Sequence, residues 1–351
     1  MTGRYSRRRW LAASGGILLA PLLASCGTNA QPSGIYIVPE DGAPRWIGSG
    51  VGAPAWSPAG DAVVWGDETG LWQWREEEAA LSRIVDTSVV ARPAWAPDAS
   101  AIAFVDARSA TLQRVAPDGV DLLPLATIAA NAGAASSPLM KRGGPAWSPD
   151  GKTIAFVCWD GGGDELCLVD AEGSRRQEIT SLGQRAANGA TPPAGSSVVG
   201  MAWSPDSTQL AVGVQGEQRG ATAGVFLVEL AVRTGRRLST LIPNSPMSWQ
   251  AASGAILFSA ARDGRSDAYL LDPLTQNARP LTAALPDGVR DPVMSEQGQL
   301  AAVRGDELVL VDGDAQRLIA VETLAVSNPV WNPAGSMLAV TAAQTPINNY
   351  R

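Results

Sequence analysis

One short phrase returns seven times along the chain, and it constrains the fold more than any other feature. In its fullest form it reads Pro145-Ala146-Trp147-Ser148-Pro149-Asp150-Gly151, followed by the β-rich run Thr153 to Val157. Close copies begin at Ala55-Trp56-Ser57-Pro58, Ala94-Trp95-Ala96-Pro97 and Ala202-Trp203-Ser204-Pro205. Three worn copies follow at Ser248-Trp249, Val293-Met294-Ser295 and Val330-Trp331-Asn332-Pro333. The Trp or Met positions are 39, 52, 56, 46, 45 and 37 residues apart. Four antiparallel strands with their turns fit in such a period.

The phrase is turn chemistry between two strands. Proline presets the first corner and glycine accepts the left-handed position that closes it. Ala-Trp ends one strand and the apolar run begins the next. A third strand follows at Leu166 to Asp170, Val225 to Val228, Ala268 to Asp272 and Leu308 to Asp312, then an outer strand such as Gln177 to Thr180. The expected fold is all-β, a seven-bladed β-propeller. Six blades follow instead if the worn copy at Ser248 or at Met294 forms no sheet. A tryptophan recurring once per repeat is expected to pack between neighbouring sheets rather than to stack on a ligand.

The last repeat stops after Met337 to Thr341, and the missing half stands at the other end as Gly34 to Val38 and Arg45 to Ile47. Both ends are therefore expected to build one blade, two strands each, which removes the exposed edges of an open array. The domain reading is 1–26 export signal, 27–33 tether, 34–345 propeller and 346–351 tail.

The repeat resembles that of TolB-type propellers, from Ile35 to about Thr345. That resemblance implies the fold far more than any one activity. TolB itself carries an α/β domain ahead of its propeller, and the segment before Ile35 is too short for one.

Ser6-Arg7-Arg8-Arg9-Trp10-Leu11 resembles a twin-arginine export signal, with Arg7 and Arg8 as the pair. Leu23-Ala24-Ser25-Cys26 resembles a bacterial lipobox, which implies lipid attachment at Cys26 after cleavage. The apolar stretch between them is short for a membrane span. These resemblances imply an extracytoplasmic protein anchored to the bacterial membrane by lipid. Loss of the segment removes Arg4, Arg7, Arg8 and Arg9, leaving 23 basic residues of 27 against 34 acidic, a net charge of −11. Such a surface repels phosphates, so nucleic acid is not an expected partner.

The chain contains no histidine. That excludes Ser-His-Asp and Cys-His centres and any His-ligated metal. Carboxylate-only catalysis stays open. No metal site and no cofactor are expected; Asp160-Gly161-Gly162-Gly163-Asp164-Glu165 lacks EF-hand spacing and reads as a hairpin tip. Arg304-Gly305-Asp306 sits where a tight hairpin turn is wanted. Cys158 and Cys167 stand on the two arms of the hairpin at Asp160 to Glu165. If the arms pair symmetrically about that tip the two face each other, as a disulfide or as two small buried apolar side chains.

Two connections are longer than ring closure needs, Ala126 to Gly144 and Ser181 to Ser197, and a third long tip runs from Gln215 to Gly224. By topology all three emerge on one face. Arg92, Lys141, Arg142, Arg185, Arg219 and Arg290 are its candidate binding residues. The tether of Gly27 to Ser33 spans about 25 Å fully extended and enters from the same face. The reading is a lipid-anchored, non-enzymatic interaction scaffold with an unknown protein partner in the cell envelope. Two alternatives stay open: a receptor for an envelope small molecule or glycan, and a carboxylate-based glycan-active enzyme.

Overall fold

The computed structural model describes residues 32–128, 144–159, 164–180, 197–215, 223–312, 315–319, 321 and 324–344. The candidate export signal with Arg7, Arg8 and Cys26, most of the tether and the tail after Gln344 lie outside these residues. Within them the chain forms seven four-stranded antiparallel sheets and no helix.

Six blades are contiguous in sequence, with strands in chain order from the axis outwards. Blade 1 holds β3 to β6 (Ala55–Trp56, Ala62–Gly66, Leu71–Arg75, Ala80–Val85). Blade 2 runs from β7 (Val89–Trp95) to β10 (Leu123–Thr127), and blade 3 from β11 (Ala146–Trp147) to β14 (Arg176–Thr180). Blade 4 runs from β15 (Ser197–Trp203) to β18 (Thr234–Ser239), blade 5 from β19 (Ser248–Trp249) to β22 (Ala278–Pro280), and blade 6 from β23 (Arg290–Met294) to β26 (Ala315–Ile319). The worn copies at Ser248 and Met294 thus belong to true sheets, and the count is seven.

Blade 7 is shared between the ends. Its strand order is β2-β1-β28-β27, with β27 (Leu324–Trp331) and β28 (Met337–Gln344) innermost and β1 (Gly34–Pro39) and β2 (Arg45–Gly48) outermost. The seam pairs Gly34 with Ala342 through Pro39 with Met337 without a break.

The apolar core is seven slabs, one in each gap between adjacent blades, rather than one central cluster. The gap between blades 2 and 3 holds Val90, Val105, Leu112, Ile154 and Phe156. The gap between blades 7 and 1 holds Ile35, Ile37, Trp56, Val63 and Trp65. The motif ring of each blade packs into the gap it shares with the preceding blade: Trp95, Trp147, Trp203, Trp249, Met294 and Trp331 repeat the position of Trp56.

Four of the six motif indoles also reach back. Nε1 of Trp56, Trp95, Trp147 and Trp203 donates to the carbonyl oxygens of Val330, Ala55, Ala94 and Ala146, at 3.2, 3.3, 3.1 and 2.9 Å. In every case the acceptor is the residue just before the preceding blade's own tryptophan. The chain of bonds fails at the worn copies: Nε1 of Trp331, which follows the Met294 blade, is buried without a partner.

The turn after the tryptophan is stapled by its serine. The Ser57, Ser148, Ser204 and Ser295 side chains are almost fully buried. Each hydroxyl accepts the backbone N–H at the start of the next strand: Ala62, Thr153, Gln209 and Gln299. Asn332 does the same through Oδ1, accepting from Ser336 and Met337. A satisfied buried hydroxyl of this kind stabilises by about 1 kcal/mol.

Cys158 and Cys167 form a disulfide with Cα atoms 5.9 Å apart. They do not face each other directly. Cys158 pairs with Glu165 and Phe156 with Cys167, so the hairpin centre is one residue earlier than symmetry about the Asp160 to Glu165 tip requires. The cysteines are diagonal neighbours on one face of the sheet, within bridging distance. At the Arg304-Gly305-Asp306 segment, Arg304 pairs with Glu307 across a two-residue turn in which Gly305 takes φ 58°.

Candidate functional site

A cavity of about 1030 Å³ opens at one mouth of the ring. Its wall comes from two kinds of connection. Ser49 to Ala53 and Asn244 to Met247 link an outer strand to the next inner strand, and Gly66 to Thr69 joins the second and third strands of blade 1. The starts of four inner strands complete it, with Val89 to Arg92, Pro145 and Ala146, Val199 to Met201, and Asn328. Among the described residues every blade except the sixth contributes, which places the cavity on the ring axis. Gly144 and Gln215, which flank two of the long insertions, also line it. The mouth thus lies on the face where topology places all three insertions.

Inner strands reach this mouth through a break in their pairing. Registers slip between Val90 and Ala94, between Arg290 and Val293, and between Ser327 and Val330. At each break one residue other than glycine adopts a left-handed backbone: Ala91 (φ 64°), Asp291 (φ 50°) and Asn328 (φ 51°). Such a conformation costs about 1–2 kcal/mol per residue. A bulge bends its strand and re-aims the side chains beside it. A proline sits inside each break, Pro93, Pro292 or Pro329, and has no N–H for the ladder.

Of the sequence-derived basic candidates, Arg92 lines the cavity. It is half-buried; its Nε is fully buried with no hydrogen-bond partner. Burial lowers its pKa from the ordinary arginine value, and the Asp291 charge from blade 6 opposes that shift. A guanidinium starts so far above neutrality that it stays protonated. The backbone beside Arg92 is tightly held: a Cβ at Gly144 would collide with the Arg92 carbonyl oxygen, so only glycine lets the two chains approach there.

Arg290 has a different role. Its guanidinium donates to Asp291 at 2.9 Å, to the Gly305 carbonyl at 3.2 Å and to the Val326 carbonyl at 3.0 Å, which ties blade 6 to blade 7. It is engaged within the ring and does not line the cavity beside Arg92. Lys141, Arg142, Arg185 and Arg219 lie outside the described residues, as do most of the three insertions and Asp160 to Gly163.

The acidic residues on the described wall are Asp67 and Glu68, adjacent in one turn. Asp67 Oδ1 accepts from the N–H and hydroxyl of Thr69, from Gly70 N–H and from Trp72 Nε1. It shapes that turn. No cluster of three or more metal-ligating side chains occurs among the described residues.

Sequence reasoning found Arg92 but missed Ala91, Asp291 and Asn328. The signal was present as a proline two residues before Trp95, Met294 and Trp331.

No family profile and no curated protein sequence matches this chain. Solved structures share its fold. A putative TolB from Agrobacterium tumefaciens superposes with a TM-score of 0.52 at 16% identity, covering 78% of this chain and 97% of that one. An oligogalacturonate lyase in complex with manganese gives 0.61 at 12% identity, over 84% and 89%. A puromycin hydrolase gives 0.55 at 16% identity, over 88% and 51%. Likeness at these identities shows the architecture, which hosts enzymes and non-enzymes alike.

Proposed function

We propose that the chain is a lipid-anchored, extracytoplasmic β-propeller that binds a protein partner in the cell envelope, without catalysis of its own. The observation that favours this reading is the coincidence on one face of the channel mouth and of the residues flanking the insertions, Gly144, Ser197 and Gln215. Loops carry recognition more often than the sheets that hold them. The chain also enters the ring on this face: Ser33 Oγ accepts from Gln344 N–H at 3.1 Å, beside the first residue of β1. A protein tethered there through Cys26 holds the face near the membrane. The absence of histidine favours binding over the commonest hydrolytic and metal chemistries. The shared fold with a putative TolB fits the reading without specifying the partner.

Crosslinking in intact cells tests it. Shortening 129–143 and 181–196 together is expected to abolish captured partners while the melting transition stays in place. Capture of the same partners in the same yield overturns the reading. Replacing Cys26 with Ala is expected to move the protein from the membrane to the soluble extracytoplasmic fraction; retention without added lipid mass overturns the anchor.

A further inference from the structure

We propose that Arg92 anchors a binding site for a monocarboxylic acid in the cavity at the channel mouth. The inference holds whether or not a protein partner docks on the same face.

The guanidinium is a cation held in place with its hydrogen-bonding capacity unused. Its Nε is buried and unpartnered, and no ion pair or hydrogen bond engages it among the described residues. Its carboxylate neighbour Asp291 acts on it only through space, because Asp291 Oδ2 is held by Arg290. An unpaired buried donor is costly to keep, and the guanidinium fork matches the two parallel oxygens of a carboxylate.

The surroundings select among anions. Arg92 is the cation of the described wall, while Asp67 and Glu68 stand on the same wall. With one positive and two negative charges on the wall, a singly charged head meets less repulsion than a phosphate dianion. Val51, Val90, Met201 and Met247 offer apolar surface for the body of the acid. Several polar side chains of the wall are already engaged: Asn244 accepts from Ser259 and donates to Ser266, and Ser245 donates to the Pro246 carbonyl. The amide oxygen of Asn328 remains open to a polar group on the body, since that amide uses only its nitrogen, toward Ser327.

The position is built rather than incidental. The strained Ala91 precedes Arg92, and Gly144 presses on the Arg92 backbone. Strain of this kind clusters at ligand clamps, where the surrounding fold fixes a geometry the chain alone would not choose.

The test follows the Arg92 Nε–Hε resonance of the lipid-free ring by NMR, assigned by its loss in Arg92→Lys. The probes are 4-phenylbutyrate, its amide, inorganic phosphate, and the dipeptide acetyl-Gly-Phe with a free or an amidated C-terminus. Both acids are expected to shift the resonance saturably, and both amides to leave it in place. Calorimetry should show affinity for the acids falling at least about tenfold in Arg92→Lys, which keeps the charge and loses the fork, and in Arg92→Met. The stronger of the two acids tells whether the carboxylate belongs to a free small molecule or to a polypeptide terminus. The proposal is overturned if neither acid gives a saturable shift, if acids and amides act alike, or if phosphate binds more tightly than both acids.

Discussion

Nε1 of Trp56 donates to the carbonyl oxygen of Val330, 3.2 Å away and 274 residues later in the chain. This bond joins the first motif tryptophan to the last repeat, across the gap between blades 7 and 1. Trp331 is buried to the same degree, 8% exposed against 7% for Trp56, but its Nε1 has no acceptor.

The two tryptophans therefore separate packing from hydrogen bonding. Trp56→Phe should lose about 1–2 kcal/mol, measured by denaturant unfolding. Trp331→Phe should lose less, because the donor it removes was already unsatisfied. Equal losses, or a larger one at Trp331, would show that the indole bonds contribute nothing to closure.

Asp106 gives the ring an acid-sensitive point. Burial alone would raise its pKa, but the Ser109 and Thr87 hydroxyls, with the N–H groups of Arg108 and Ser109, outweigh it and hold the carboxyl below its usual value. A depressed carboxyl pKa contributes stability above the unfolded value of about 4, and that contribution fades as pH falls through the folded value. Asp106→Asn is expected to cost about 1–3 kcal/mol at pH 7, with the gap to the parent narrowing below pH ~4. A gap that stays constant from pH 7 to pH 2.5 would refute the linkage.

Ala99 takes φ 60° at the turn position that Gly60, Gly151 and Gly335 fill in other blades. Its N–H donates to the Ala96 carbonyl as Gly151 N–H does to Ser148. Ala99→Gly should stabilise the protein by up to about 1 kcal/mol, since it relieves a left-handed β-carbon. A fall in the melting temperature would contradict this. Ser207 occupies the same position in blade 4, but its hydroxyl accepts from Asp150 N–H across the blade gap, so it is not an equivalent test.

The disulfide between Cys158 and Cys167 spans nine positions. Labelling of the denatured, non-reduced ring should find neither thiol free. Reduction should lower stability by about 2–3 kcal/mol. Two labelled thiols per ring would exclude the bridge.

The architecture was readable because the repeat is periodic and its turn chemistry is local. Ser148-Pro149-Asp150-Gly151 encodes its own corner, and the complementary halves at Gly34 and Met337 announce the shared blade. What failed was register. One residue of slip in the hairpin of Cys158 and Cys167 turns opposite partners into diagonal ones, and nothing in the tip sequence sets that choice. The mouth of the channel was harder still. Whether an arginine lines the cavity or bridges two blades depends on bulges of different length before Trp95 and Met294. Arg92 stands three residues before Trp95 and Arg290 four before Met294, and that offset alone does not say which of them meets the channel.

The seam of blade 7 has a consequence for the order in which the molecule can form. Gly34 and Ala342 are cross-strand partners, so this sheet has the longest contact separation in the ring and the largest loop to close before any pairing repays it. A chain still emerging from the ribosome holds β1 and β2 idle until β28 arrives. Ser33 and Gln344 already touch at 3.1 Å, so a short linker between them would permit circular permutation. New ends placed in the turn between blades 4 and 5, at Pro243, would make all four seam strands contiguous. The slowest pairing in the ring would then become a local hairpin, with the seven apolar slabs unchanged.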